Sequence, residues 1–200
     1  MVLVLCGRKG SGKTRLCIDI LTSDTGLRSV YDKVLCISPT FDRQPIWRQR
    51  ISGEGWSVYK TLDNETLEKV FNQLLQKPQS EKTLLLLDDN GEDLRRVDQK
   101  IVNKLVSNSR HLNCSVVLLL QKMTQCPTCI RCQTDTFVCF SATSQREIDA
   151  LWAEVGKGGK QEFHHMFHNA TEGKYAHMVC SISHEGKITY NSCFQRTLSN

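Results

Sequence analysis

Residues 1–21 read MVLVLCGRKGSGKTRLCIDIL, and the reading of this stretch decides the fold. Val2 to Cys6 is an apolar run of the length expected for a buried strand, and the run that begins near Lys13 is amphipathic with the spacing of a helix. Between them, Gly7-Arg8-Lys9-Gly10-Ser11-Gly12-Lys13-Thr14 fits G-x-x-x-x-G-K-[ST], a phosphate-binding loop. Its glycines free the backbone to turn, so that successive N–H groups point inward at phosphate oxygens, aided by the positive end of the following helix. Lys13 is expected to reach the β and γ phosphates of a nucleotide, and the Thr14 hydroxyl to ligate Mg²⁺. The pattern alone is common, but here the strand precedes it and the helix follows it, as the mechanism requires.

A loop that holds phosphate needs acids beside it. Lys82 to Leu87 is an unbroken strand pattern that runs into Asp88-Asp89. This strand is expected to lie beside the first one, so that Asp88 meets Mg²⁺ and Asp89 orients or deprotonates the attacking water. Asp89 as a helix N-cap or turn acid is the plainer alternative. A further apolar run, Cys114 to Leu120, ends in Gln121. Parallel sheets place ligands at the C-terminal ends of their strands, which suits Gln121 to sense the γ-phosphate or align water.

The rest of the chain alternates in the same way. Strands are expected at Lys33–Ser38, Trp56–Tyr59 and Thr136–Phe140. Thr40 to Gln49, with Phe41, Trp47 and several arginines nearby, reads as a turn and short helix near the nucleotide. Longer helices are expected from Leu62-Asp63-Asn64 to Lys77, from Asp93 to Asn108, from Ser144 to Val155 and over Gln161–Asn169. Ser144 and Glu147 have the spacing of a capping box. Tyr175–Ser183 and Lys187–Phe194 alternate across His184-Glu-Gly-Lys187 and read as a β-hairpin. The expectation is one three-layer α/β domain over residues 1–200, with a mainly parallel central sheet and a C-terminal antiparallel hairpin.

Composition bounds the function. The chain has 200 residues, 40% of them apolar and 24% charged, as in a soluble globular protein. No apolar run approaches the roughly 18 residues of a membrane span. The opening run is too short for a secretory signal, so an intracellular, reducing compartment is expected. Most of the ten cysteines stand in apolar runs and read as small core residues. A net charge of +5 is compatible with a polyanionic partner.

These observations specify a nucleoside triphosphatase. A narrower reading comes from Ser109-Arg110-His111 before the strand that ends at Gln121, from Pro127, Arg131-Cys-Gln-Thr-Asp135 and Phe137-Val-Cys-Phe140, and from Ser144-Gln-Arg-Glu-Ile148 and Ala170-Thr with Tyr175. In these the chain resembles the viral genome-packaging ATPases of the FtsK/HerA superfamily, found in poxviruses, other large DNA viruses, virophages and Polinton-type elements. The resemblance covers nearly the whole chain. It implies a RecA/FtsK-like fold and a homo-oligomeric ring that hydrolyses ATP between subunits and threads double-stranded DNA into a capsid. It further implies Lys13 and Thr14 on phosphate and Mg²⁺, Asp88 on the metal, Asp89 as base and Gln121 as sensor. A neighbouring subunit's arginine is expected at the γ-phosphate, Arg110 first, then Arg131 and Arg146; each also reads as an ordinary surface arginine. Many members carry glutamate where Asp89 stands; this chain departs from that pattern, and the shorter side chain tells against direct base action and for acting through a second water or merely orienting one.

Two other readings stay open at this level. A nucleoside-type phosphotransferase shares the loop and the length but needs an arginine-rich lid, for which no segment stands out. A nucleotide-gated capsid scaffold needs the loop without turnover. Separately, Cys126, Cys129 and Cys132, with His164, His165 and His168 downstream, have spacings compatible with structural zinc, whereas the resemblance makes Gln125–Gln133 a loop at the nucleotide edge.

Overall fold

The computed structural model describes residues 1–22, 30–50, 55–142, 144–193 and 196–198. The strands are β1 (Val2–Cys6), β2 (Lys33–Ile37), β3 (Trp56–Tyr59), β4 (Thr83–Asp88), β5 (Cys114–Leu120), β6 (Thr136–Phe140), β7 (His177–Ile182), β8 (Ile188–Ser192) and β9 (Arg196–Leu198). The helices are α1 (Lys13–Thr22), α2 (Pro45–Arg50), α3 (Asn64–Gln76), α4 (Asp93–Arg96), α5 (Gln99–Ser107), α6 (Thr128–Arg131), α7 (Gln145–Val155) and α8 (Lys160–Ala170). Among the described residues the nine strands form one sheet in the order β3-β2-β4-β5-β1-β6-β7-β8-β9. Pairing is parallel from β3 through β6 and antiparallel from β6 through β9.

Period-2 alternation sends each central strand's apolar residues to both faces. Val2, Val4, Cys6, Leu85, Leu87, Val116 and Leu118 face α3, α5, α7 and α8, whose Leu67, Val70, Val102, Leu105, Ile148, Leu151, Phe163 and Phe167 complete that core. Leu3, Leu5, Leu84, Leu86, Val117 and Leu119 face α1 and α2 through Cys17, Ile18, Leu21 and Trp47. Both faces being covered explains why these strands read as continuous apolar runs. The three-layer expectation is met.

Four local expectations are corrected. The strand ending in Asp88-Asp89 does not lie beside β1: β4 pairs with β2 and β5, and β5 stands between it and β1. Uniformly apolar strands carry no signal of lateral order, and the insertion places Gln121 between the loop and the acids. The single helix expected over Asp93–Asn108 is two, because Val97 is extended (ψ 161°) and Asp98 starts α5 by accepting from Lys100 N at 2.8 Å. Asp98 N in turn donates to Asn64 Oδ1 at 2.8 Å, a tertiary bond that a continuous helix would forfeit. The Ser144 capping box does not form: Ser144 has extended backbone but makes no side-chain cap bond, and Glu147 instead accepts from Thr124 N (3.1 Å) and Thr124 Oγ1 (2.8 Å). The C-terminal hairpin gains a third strand, β9, paired with β8. By contrast Asp63 caps α3 as its position suggests, accepting from Thr66 N at 2.8 Å.

Candidate nucleotide site

The C-terminal ends of β1, β4 and β5 meet at one edge of the sheet. The loop from Gly7 to Gly12 leaves β1 there, tied to the neighbouring strand by Gly7 N donating to Leu120 O at 3.1 Å. Two positions need glycine for distinct reasons. A Cβ on Gly7 would stand 2.7 Å from Phe140 Cβ and 2.9 Å from Ser11 Oγ, and Gly12 has φ of +100°, which side chains avoid. Lys13 Nζ folds back on the loop, donating to the carbonyls of Gly7 and Arg8. Burial lowers the Lys13 ammonium below its ordinary pKa, opposed by the nearby charges of Asp88 and Asp89. An ammonium held by neutral carbonyls is ready to exchange them for phosphate oxygens.

A cavity of about 470 Å³ unites the sequence-derived residues: Lys9, Gly10, Lys13, Thr14, Asp88, Asp89 and Gln121 all line it. Asp88 is buried, 3% exposed, at the last position of β4. Its Oδ2 accepts from Trp47 Nε1 at 2.8 Å and from Ser38 Oγ at 3.2 Å, whereas Oδ1 accepts no hydrogen bond from any described residue. Burial pushes the Asp88 carboxyl above the usual carboxylate range, and the Trp47 and Ser38 donors and the Lys13 charge pull it back. A carboxylate with one oxygen to spare and the Thr14 hydroxyl in the same cavity form the hard-oxygen set that suits Mg²⁺.

Asp89 adopts φ of +58°, a left-handed conformation in which Asp is among the better tolerated side chains. Its N–H donates to Leu119 O at 3.3 Å, and its Oδ1 accepts from Gln121 Nε2 at 2.6 Å. The next residue, the buried Asn90, donates to Ile37 O (2.6 Å) and Asp88 O (3.0 Å), pinning the turn to β2. The backbone therefore turns Asp89 away from the sheet toward Gln121. Asp89 caps no helix in this arrangement, since α4 begins only at Asp93.

Residues that the sequence left without a role complete the walls. Thr40, Arg43 and Gln44 line the cavity from the 3₁₀ turn Phe41–Arg43. On the other side of the loop, a cavity of about 650 Å³ is lined by Gly12, Thr14, Leu16, Phe140, Tyr175 and His177, among others. Tyr175 has φ of +67° and is 55% exposed, and its ring lies 3.1 Å from where a Gly12 Cβ would stand. Tyr175 is among the residues that carry the resemblance, but no spacing gives it a role there, because its contact with Gly12 is made across the fold.

The three arginines separate. Arg110 precedes β5 and lies at the opposite end of the sheet, 3.5 Å from Asp135 just before β6, with its side chain 69% exposed. Arg131 is largely buried, pairing with Glu154 at 3.2 Å and donating to Thr128 Oγ1 at 3.0 Å. Arg146 is exposed in the first turn of α7 and makes no ion pair among the described residues. The cysteine segment is not a simple loop. It contains α6, Cys126 is buried in the core, and His164 is engaged with Asp149 at 2.8 Å. Among the described residues no group of three or more His, Cys, Asp or Glu stands together as a metal site.

The similarity of the chain to known proteins bears on this geometry. DNA packaging protein OPG160 of variola virus and that of vaccinia virus strain Western Reserve are each 26% identical over 171 residues, covering 82% of this chain and 62% of the relative. The monkeypox virus protein of the same name is 26% identical, with 82% and 55% covered. The chain thus spans less than two thirds of the length of these relatives. Among solved structures, the DNA-packaging ATPase B204 of Sulfolobus Turreted Icosahedral Virus superposes with a TM-score of 0.73 at 14% identity, covering 94% of this chain and 95% of that one. The genome packaging NTPase B204 of Sulfolobus turreted icosahedral virus 2, in complex with ATP-gammaS, gives 0.72 at 15% identity with the same coverage. At such identity the likeness is one of fold, that of P-loop ATPases. The family model described as the poxvirus A32 protein matches residues 1–194, nearly the whole chain, and the chain belongs to that family.

Proposed function

We propose that residues 1–200 form one ATPase domain of a viral genome-packaging motor, which binds ATP with Mg²⁺, hydrolyses it and drives double-stranded DNA into a capsid inside the host cell. The observation that carries this reading is the convergence of Lys13, Thr14, Asp88, Asp89 and Gln121 on one cavity, with Gln121 bonded to Asp89 at 2.6 Å. Lys13 and the loop amides hold the β and γ phosphates; Thr14 and Asp88 hold the metal, which screens phosphate charge; Asp89 and Gln121 place the attacking water. The nucleoside lies on the Tyr175 side of the loop. DNA is held by its phosphates without regard to sequence, a role consistent with the +5 charge repeated around a ring. In such a ring each interface joins two different surfaces, so the arginine that acts in trans lies away from its own nucleotide. Arg110 meets that condition and is the first candidate. Arg146, exposed beside the nucleotide end, is the second. The Glu154 pairing of Arg131 suits a structural role.

The test is ATP turnover by the purified protein with and without double-stranded DNA, beside Lys13→Ala, with the assembly state followed by light scattering. Hydrolysis stimulated by DNA of any sequence and abolished in Lys13→Ala is expected. Turnover indifferent to DNA in an assembled ring would refute the motor, and equal negligible rates in both proteins would refute the ATPase.

A further inference from the structure

Trp47 is an unusual residue to find at 0% exposure, since its size and its indole N–H make full burial uncommon. Its ring sits in the apolar layer under α1, among Cys17, Ile18, Cys36 and Leu86, where Phe or Leu would supply the same packing. What those residues lack is a donor. The indole N–H donates to Asp88 Oδ2 at 2.8 Å, and Ser38 Oγ approaches the same oxygen at 3.2 Å. Both donors come from the segment that follows β2, and both address one carboxylate oxygen. The carboxylate cannot rotate about its terminal bond without breaking both hydrogen bonds together. Its other oxygen is thereby fixed toward the cavity that Thr14 also lines.

The segment carrying Trp47 is itself part of the site. Phe41 stacks on Trp47 with centroids 6.4 Å apart and planes 16° from parallel, and Thr40, Arg43 and Gln44 line the cavity between them and the loop. We propose that Trp47 is a positioning residue for Asp88, its indole N–H holding the carboxylate in the orientation that receives the metal of the metal–nucleotide complex. The inference rests on the assignment of Asp88 as the Mg²⁺ ligand and adds to it the group that orients that ligand. Partners that orient metal ligands through hydrogen bonds are typically worth about 10- to 100-fold in metal affinity.

The experiment measures the affinity of the full chain for a non-hydrolysable ATP analogue by calorimetry, once with Mg²⁺ and once with EDTA. The ratio of the two affinities reads the metal's contribution without any turnover. Trp47→Phe keeps the ring and removes the donor. It is expected to leave the EDTA affinity within about twofold of wild type and to cut the Mg²⁺-dependent gain about tenfold or more. Ser38→Ala, which removes the longer bond, is expected to cut it severalfold. Phe41→Leu disturbs the aromatic stack but no hydrogen bond, and is expected to leave the gain intact. A full Mg²⁺-dependent gain in Trp47→Phe overturns the inference, as does an equal loss in Trp47→Phe and Phe41→Leu, which would assign the effect to packing. Should Trp47→Phe not fold, Ser38→Ala decides: a reduced gain supports the inference and an unchanged gain overturns it. Absence of any Mg²⁺-dependent gain in the wild type would instead refute Asp88 as metal ligand, a separate failure.

Discussion

The contact between Gln121 and Asp89 offers the sharpest test of the catalytic reading, because two explanations of it differ in magnitude. The bond, 2.6 Å between Gln121 Nε2 and Asp89 Oδ1, lies at the exposed mouth of the cavity. Solvent competes there, so as a ground-state hydrogen bond it contributes about 0.5–1.5 kcal/mol, or roughly 2- to 10-fold in any equilibrium. If the pair instead holds the attacking water and receives its proton, removing either member acts on the transition state, where positioned acid–base groups typically contribute about 10²–10⁴-fold. Gln121→Ala is therefore expected to lower single-turnover hydrolysis by about 10² or more and to change ATP affinity by less than about threefold. Asp89→Asn is expected to do the same. Residues that act as a unit are not additive, so the double variant should be little slower than the worse single variant. Quench-flow on pre-bound ATP measures the chemical step apart from release. A loss below tenfold for Gln121→Ala, or losses that multiply in the double variant, would refute the shared role and leave the bond as a feature of the resting site.

Gly7→Ala is expected to cost about 1–3 kcal/mol by forcing a Cβ to within 2.7 Å of Phe140 Cβ, and to weaken nucleotide binding in parallel; urea unfolding and a binding titration read the two losses. Asp88→Asn is expected to raise the unfolding midpoint of the metal-free protein at pH 7 while abolishing Mg²⁺-dependent turnover. The sign follows from the raised folded pKa: the unfolded chain releases the Asp88 proton near pH 3.8, the folded one at higher pH, so the carboxyl's contribution to stability is lost as pH rises through the folded value. Asparagine removes that dependence, and a thermal melt series at rising pH should show wild type falling relative to the variant across that window. Arg110→Ala is expected to leave ATP affinity unchanged and to reduce DNA-stimulated turnover by about 10³ or more, with mixed rings of variant and wild type showing the loss in trans. If Arg146→Ala alone shows that loss, the second candidate takes the role.

Much of this was legible because the chemistry of the loop constrains local sequence. A phosphate cradle needs consecutive free backbone amides, hence the glycines of residues 7–12, and the strand and helix that flank them are read from apolar runs of different period. Acids at the end of β4 and a polar residue at the end of β5 are legible for the same reason, since ligands collect at the C-terminal edge of a parallel sheet. The lateral order of β4, β5 and β1 was not, because strands covered on both faces are apolar throughout and carry no address. Trp47 illustrates a second kind of blindness. Its sequence position marked a short helix near the nucleotide, yet only the tertiary fold shows that its N–H is spent on Asp88. Glu147 illustrates a third: the capping-box pattern was present, but a half-buried partner distant in sequence, Thr124, offered two hydrogen bonds where the helix terminus offered one.

That last substitution links the site to the rest of the molecule. The turn after Gln121 is held on both sides. Gln125 receives Lys122 N at 3.1 Å and donates to Glu92 Oε1 at 3.0 Å, next to α4, while Thr124 donates twice to Glu147 on α7. Gln121 thus stands between a bond to Asp89 and a turn anchored to two helices that flank the acids and Arg146. In the proposed hydrolysis the charge that Asp89 and Gln121 face would change, and a displacement of Gln121 would pass into this turn. Since Glu147 is 9% exposed, its carboxylate has no ready exchange of protein donors for water, and breaking its bonds to Thr124 would leave a buried charge short of partners. The two bonds thus tie the turn to the start of α7. In the proposed motor this connection would carry a displacement of Gln121 to the N-terminal turn of α7, where the exposed Arg146 stands.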